Sequence, residues 1–280
     1  MIVLATAILL LLIFSVWPEW LISVIGRKKT FVITLLNGVT LAGLYFLVAS
    51  GFTLVFGLMR NVNLAHGSMY LLGAYIGYEV SERSGSWFLG LAAAFFAIAL
   101  SGILLQTLVF RRMEKEELRQ TLVTIGISII AADLMLAIWT GTTYQFTPPD
   151  WLWGSSVLPI ISVIKASGKV IYLKYPIYRL TVLAVAVLVG IALWLFLNRT
   201  KIGMMIRAGV NDRDMLSASG VNIQLVFAIV FAIGAGLAGF AGVIGGTALS
   251  IAPGEDVRYL LASLIVVIVG GLGSVTGVAI

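Results

Sequence analysis

The sequence predicts an all-α, polytopic bundle of transmembrane helices, with about 7–9 membrane segments at roughly 20 residues per crossing. Three observations carry that reading. Of the 280 residues, 60% are hydrophobic and only 11% are charged, where a soluble domain averages about 25% charged. The hydrophobic residues come in long unbroken runs, whereas a membrane β-barrel shows short alternating segments. The polar residues are gathered into short stretches between those runs. The absence of cysteine excludes disulfides, thiolate catalysis and cysteine-ligated metal. The net charge of +6 is no nucleic-acid footprint, because the basic residues sit mostly in loops, where positive-inside bias accounts for them.

Met1–Val16 is apolar; Trp17 to Trp20 and further apolar residues lead to Arg27-Lys28-Lys29. A cleaved signal peptide carries its positive charge ahead of the apolar core. Here the charge follows it, so residues 1–30 read as an extra, uncleaved span with Arg27–Lys29 on the cytoplasmic side. Phe31–Met59 is the next apolar run, followed by the polar stretch Arg60–Gly67 and by Ser68–Tyr78, apolar but too short to span alone. Trp87–Phe110 is a full span ending at Arg111 and Arg112. After the charged loop Arg111–Gln120, Thr121–Thr140 is a span holding one carboxylate, Asp133. Gly141–Tyr178, with four prolines and with Trp151 and Trp153, suits an irregular extracytoplasmic loop, since tryptophans favour the membrane interface. Leu180–Leu197 and the glycine-rich Ile223–Ser250 are spans without charge, and Tyr259–Ile280 is the last apolar run. The glycines of Ile223–Ser250 allow close helix packing.

Placing Arg199–Asn222 inside puts Gly141–Tyr178 outside, Arg111–Gln120 inside and Trp87 outside. With Arg27–Lys29 inside as well, the run Ser68–Tyr78 can add no crossing. That parity predicts a broken or re-entrant element near residues 57–68, a backbone form that survives at membrane depth only when buried in protein or lining a polar cavity. If Arg27–Lys29 instead lies outside, the charge rule fails there and no such element is needed.

Three constellations are candidates for function. The first is Asn61, Asn63 and His66, the chain's one histidine, in the stretch Arg60–Gly67. Polar groups at interrupted helices mark substrate paths in transporters, although the same residues would also serve as helix caps in an interfacial loop. With no second histidine and no cysteine, His66 is a poor metal ligand. The second is Asp133, which should face the bundle interior or a watery cavity, as a structural hydrogen-bond partner or as part of the pathway. The third is the polar island Arg199–Asn222. There Asn211, followed three residues on by Asp214, has the spacing of an N-cap with an acidic first turn. Gly220 is a natural stop, so a short helix over about residues 212–219 is predicted at the membrane surface. No phosphate loop, no H-E-x-x-H and no G-x-S-x-G occurs, so nothing in the chain points to ATP hydrolysis or another covalent reaction.

The runs NGVTLAGLYFLVASGFTLVFGLMRNVNLAHGSMYLLGAY (residues 37–75), IRAGVNDRDMLSASGVN (206–222), AGLAGFAGVIGG (235–246) and VIVGGLGSVTGVAI (267–280) resemble permeases of branched-chain amino acid ABC transporters, of the LivH type. The resemblance covers about residues 34–280. It implies a transmembrane permease domain over residues 31–280 in a prokaryotic inner membrane, and it leaves two readings at Ile280, a short member or a fragment. It implies as partners two ATP-binding cassette subunits, a second permease subunit (the same or different) and an extracytoplasmic solute-binding protein, with no cofactor on this chain. It also implies that the island 199–222 is the coupling loop, with Arg207, Asn211, Asp212, Arg213 and Met215 as the contacts to the ATPase. Asn61, Asn63, His66 and Asp133 are the candidates for the solute pathway. Permeases for urea or short amides share this pattern. An ion-coupled transporter and a passive solute channel are the readings from other classes.

Overall fold

The computed structural model describes residues 28–59, 62–113, 116–164, 170–271 and 277. In chain order the helices are α1 (Lys28–Met59), α2 (His66–Ser84), α3 (Trp87–Leu108), α4 (Glu117–Trp139), α5 (Ile177–Arg199), α6 (Lys201–Asn211), α7 (Arg213–Ala218), α8 (Ile223–Ala248) and α9 (Glu255–Gly270). Between α4 and α5 stand strands β1 (Ser155–Ile164) and β2 (Val170–Pro176), paired antiparallel. Among the described residues, five stretches are long and apolar enough to cross a membrane: Thr30–Gly57, Trp87–Met113, Glu117–Trp139, Ile177–Arg199 and Ile223–Ala248. Helices α2 and α9, of 19 and 16 residues, pack with them. The extra amino-terminal span expected over residues 1–30 lies, through residue 27, outside the described residues.

Helix α8 is the centre. Of its apolar window 67% is buried, against 11–28% for the other four. It packs on α1, α2 and α3, and its glycines explain how three neighbours approach at once. A Cβ on Gly73 of α2 would run into the backbone of Gly239, and one on Gly51 of α1 into the carbonyl of Gly234. A Cβ on Gly102 of α3 would sit 2.7 Å from Ala235 and 2.9 Å from the Phe231 carbonyl. Small residues bring backbones together where lipid tails are as apolar as any side chain and burial of apolar surface gives no drive to associate.

These contacts also set direction. Leu44 of α1 lies at Gly245 and Gly51 at Gly234, so α1 and α8 are antiparallel. Gly102 at Phe231, Ala94 at Gly239 and a 2.9 Å hydrogen bond from Trp87 Nε1 to Thr247 Oγ1 make α3 antiparallel to α8 as well. Helix α2 runs with α8, with Gly73 at Gly239 and Gly77 at Val243. It also runs with α4, through Leu64 N–H to Thr124 Oγ1 at 3.1 Å, Ser68 with Ser128 at 2.8 Å, and the stacked rings of Tyr75 and Trp139. Gly43 at Leu183 and Gly190 at Phe46 set α5 parallel to α1. Tyr259 at Tyr45 and Val267 with Ala49 and Phe52 set α9 parallel to α1, so the seven long helices among the described residues alternate in direction along the chain. One face carries the ends Met59, Leu108, Glu117 and Arg199 with α6 and α7, and is called inner below. The other carries Ser84, Trp87 and the β-hairpin.

This alternation corrects the sequence reading at the start of α1. The start of α1 lies on the hairpin face, opposite the island, so Lys28 and Lys29 are not on the island's side; Arg27 lies outside the described residues. The parity that asked for a re-entrant element disappears with that placement. The broken element itself stands: residues 62–65 are non-helical, Asn63 and Ala65 are buried, and His66 at the start of α2 bonds the Val48 carbonyl, well before the end of α1 at Met59. Helix α2 is also longer than the apolar run that signalled it. It continues through Glu79, Glu82 and Arg83, where Arg83 Nε donates to Glu79 at 2.8 Å, and ends at Gly85 with φ of +67°. At about 1.5 Å per residue, its 19 residues reach nearly the ~30 Å of the hydrocarbon core. The segment 141–178, expected to be irregular, holds the hairpin.

Candidate transport and coupling sites

The stretch after α1 builds its candidates from the turn itself. Asn61 lies outside the described residues. Asn63 is buried, and its Oδ1 accepts from the Ala65 N–H at 3.1 Å, while its carbonyl accepts from the His66 N–H at 3.2 Å. It therefore shapes the entry into α2. His66 is wholly buried, with Nε2 3.0 Å from the Val48 carbonyl of α1. A carbonyl can only accept, so Nε2 carries the proton, and Nδ1 has no partner among the described residues. The edge of the His66 ring meets Phe52 with centroids 5.4 Å apart. The structure thus brings Asn63 and His66 together as a buried clasp between α1 and α2.

Next to this clasp is a residue the sequence reading missed. Asp256, in the first turn of α9, is 5% exposed, and Ser68 Oγ lies 3.5 Å from its Oδ2. Ser68 in turn bonds Ser128 of α4 at 2.8 Å. A Cβ on Gly67 would meet the Asp256 carbonyl and, at 2.8 Å, Leu260, so α9 leans on the first turn of α2 with no side chain between them. The signal available in sequence was an acidic residue just after Pro253-Gly254, which marks a helix start but not its burial.

Asp133 lies outside the described bundle interior, the first of the two placements expected for it. It is exposed on α4 and makes no hydrogen bond or ion pair with the described residues. Helix α4 is the least covered span, with 11% of its window buried. Its open side carries Leu122, Ile129, Ile130, Leu136 and Ile138, and a Cβ on Gly126 would touch nothing within 4 Å.

The island is a chain of helix starts. Thr200 Oγ1 accepts from the Gly203 N–H at 3.0 Å, Asp212 Oδ1 from Met215 N–H at 2.9 Å, and Asn222 Oδ1 from Leu225 N–H at 3.2 Å. Each satisfies an orphan donor of α6, α7 or α8. The expected short helix is α7, and Gly220, with φ of +80°, ends it. Its cap is Asp212 rather than Asn211, because Asn211 is the last residue of α6, a helix the sequence reading did not separate from the loop. Ile206 of α6 is buried with Leu54 of α1 and with Val226, Phe227 and Val230 of α8. Arg207 points outward and donates to Asn198 at 2.9 Å. On α7, Leu216 is 9% exposed and its neighbour Met215 is 68% exposed. Arg207, Asp212 and Met215 therefore share the exposed side of one inner-face structure, and Asn211 and Arg213 flank its cap.

Comparison with known proteins agrees with this architecture. A family model described as the permease component of the branched-chain amino acid transport system matches residues 34–280. Among curated proteins, the chain is 28% identical over 259 residues to the high-affinity branched-chain amino acid transport permease LivH of Salmonella typhimurium, covering 87% of this chain and 80% of that one. It is 26% identical over 254 residues to BraD of Pseudomonas aeruginosa, with the same coverage. It is 24% identical over 244 residues to a probable LivH of Methanocaldococcus jannaschii, covering 85% and 74%. No solved structure matches.

Proposed function

Because the chain belongs to the branched-chain amino acid transport permease family, we propose that it is the membrane-spanning subunit through which an ATP-driven importer moves branched-chain amino acids inward. The observation that carries this reading is the α6–α7 structure on the inner face. A short capped helix offers an exposed methionine, while Leu216 beside it is buried and Ile206 is tied to the inner ends of α1 and α8. In this proposal ATP-binding cassette subunits dock on Asp212, Met215 and their neighbours Arg207, Asn211 and Arg213. Closure of the ATPase pair displaces α7 and α6, and Ile206 passes the displacement to Leu54 and Val226–Val230. The permease itself makes and breaks no covalent bond.

Two further partners have places in this scheme. The open side of α4 faces a second permease subunit. A charged side chain on the lipid side of a span costs about 2.5–3.5 kcal/mol on insertion scales, so a protein surface with a hydrogen-bond donor is the fitting cover for Asp133. The hairpin face, with Trp151, Trp153 and Tyr172 exposed, receives the solute-binding protein.

The test is reconstitution of the chain with ATPase, second permease and binding protein in proteoliposomes. Radiolabelled leucine should accumulate on ATP addition, with competition by isoleucine and valine but not urea. Met215→Asp should reduce both uptake and binding-protein-stimulated ATP hydrolysis about tenfold or more, equivalent to ~1.4 kcal/mol of lost docking, with unchanged membrane insertion. Wild-type uptake by that variant would remove α7 from the coupling path.

A further inference from the structure

At the outer ends of four helices lies a cavity of about 220 Å³, below the 300–1,000 Å³ common for drug-sized ligands and suited to a small molecule. Its walls are apolar on one side, with Leu41 and Leu44 of α1, Val182 of α5 and Ala248 of α8. On the other side stand two guanidinium groups, Arg179 of α5 and Arg258 of α9, with Asn37 and Thr40 of α1. This is a different place from the α2 clasp, from Asp133 and from the island.

The charges are unequal. Arg258 is paired with Glu255 at 3.3 Å. Arg179 has no carboxylate within ion-pair distance among the described residues; its partner is the Asn37 amide oxygen, to which Nη1 donates. That same oxygen accepts from the Tyr175 hydroxyl at 3.2 Å, and Tyr175, itself buried, shares a 2.9 Å hydrogen bond with Thr40. Arg179 is thus half-buried, positioned by a neutral network anchored in β2 and α1, and left with unmatched positive charge facing an apolar-walled space. A guanidinium has five N–H donors in a fixed fork that suits a carboxylate or phosphate. Fixing it beforehand reduces the ordering cost of binding.

We propose that this cavity binds a molecule with an anionic head group and an aliphatic portion, the head on Arg179 and Arg258 and the tail against Leu41, Leu44 and Val182. Two sources have this chemistry. One is the carboxylate end of an aliphatic amino acid entering from the outer face, a source that rests on the transport function proposed above. The other is the phosphate of an anionic lipid in the outer leaflet. The first makes the cavity a waiting site for solute ahead of translocation.

Binding to the full chain in nanodiscs, without ATP or partner subunits, tests the site separately from transport. In phosphatidylcholine discs, L-leucine should bind and leucinamide, which lacks the carboxylate, should bind at least tenfold more weakly. Arg179→Gln should weaken leucine binding about tenfold, and Arg179→Lys, which keeps the charge, should weaken it less. If leucine fails to bind but phosphatidylglycerol is enriched around the wild type and not around Arg179→Gln, the anion site stands with lipid as its source. Equal binding of leucine and leucinamide with no phosphatidylglycerol enrichment overturns the proposal, as does an Arg179→Gln variant that binds both probes like the wild type. The leucine and leucinamide comparison needs no variant, so misfolding of a substituted chain cannot decide it. Leucine binding without ATP-driven uptake would overturn the transport reading and leave the site in place.

Discussion

At the scale of single residues, two of the polar groups that sequence singled out have opposite surroundings. His66 is enclosed, with its one proton on Nε2 directed at the Val48 carbonyl. Asp133 is open, on a span with little cover. Sequence spacing alone could not separate these cases, because only the packing of neighbours decides which side chain faces inward. Asp256 makes the same point from the other side, since a residue that reads as an ordinary first-turn acid is among the most buried polar groups described. For Asp133 the pairing scheme gives a measurable expectation. Asp133→Leu should leave the isolated chain at least as stable in detergent, because an unpaired carboxylate is removed from an apolar surface. It should weaken co-purification with the second permease subunit about tenfold, the equivalent of ~1.4 kcal/mol. Undiminished pairing would exclude this side of α4 as the contact.

At the scale of elements, hydropathy found the spans that are apolar throughout, namely α1, α3, α4, α5 and α8. It shortened α2, whose last turns carry Glu79, Glu82 and Arg83. It passed over the hairpin, because Ser155–Ile164 contains Pro159 and lies between residues typical of loops. In the island, local signals located α7 to within a residue, although the cap expected at Asn211 is Asp212, since a cap and a glycine stop act through local hydrogen bonds and backbone angles that need no tertiary context. The glycines divide in the same way. Gly73→Ala should destabilise the chain by ~1–3 kcal/mol, the usual cost of overpacking, because the new methyl meets the backbone of Gly239. Gly126→Ala has open space and should be neutral or stabilising by up to about 0.5–1 kcal/mol through helix propensity. Thermal unfolding of the two variants side by side measures the difference, and equal shifts would show that the α2–α8 seam tolerates widening.

At the scale of the whole molecule, the alternating directions of the seven long helices are the finding that charge alone did not supply. The positive-inside rule is a bias, and it set the start of α1 and the island on one side, whereas contacts such as Gly51 with Gly234 place them on opposite faces. The absence of cysteine makes this directly testable in cells. A membrane-impermeant maleimide added outside should label Thr30→Cys and not Ser217→Cys, both at exposed positions. Labelling of Ser217→Cys with protection of Thr30→Cys would invert the topology, and labelling of both or neither would contradict the alternation.

The glycine contacts along α8 have a mechanical consequence. Where large side chains interlock, one helix moves along another only by lifting knobs out of holes. Where backbone meets backbone, as at Gly73 with Gly239 and Gly51 with Gly234, the surfaces are smooth on the scale of a methyl group. Such a seam holds the helices close and offers little resistance to small shear, the sliding mode by which packed helices change register. The most buried helix of the bundle is thus also one built to glide, and its inner end is joined through Val226, Phe227 and Val230 to Ile206.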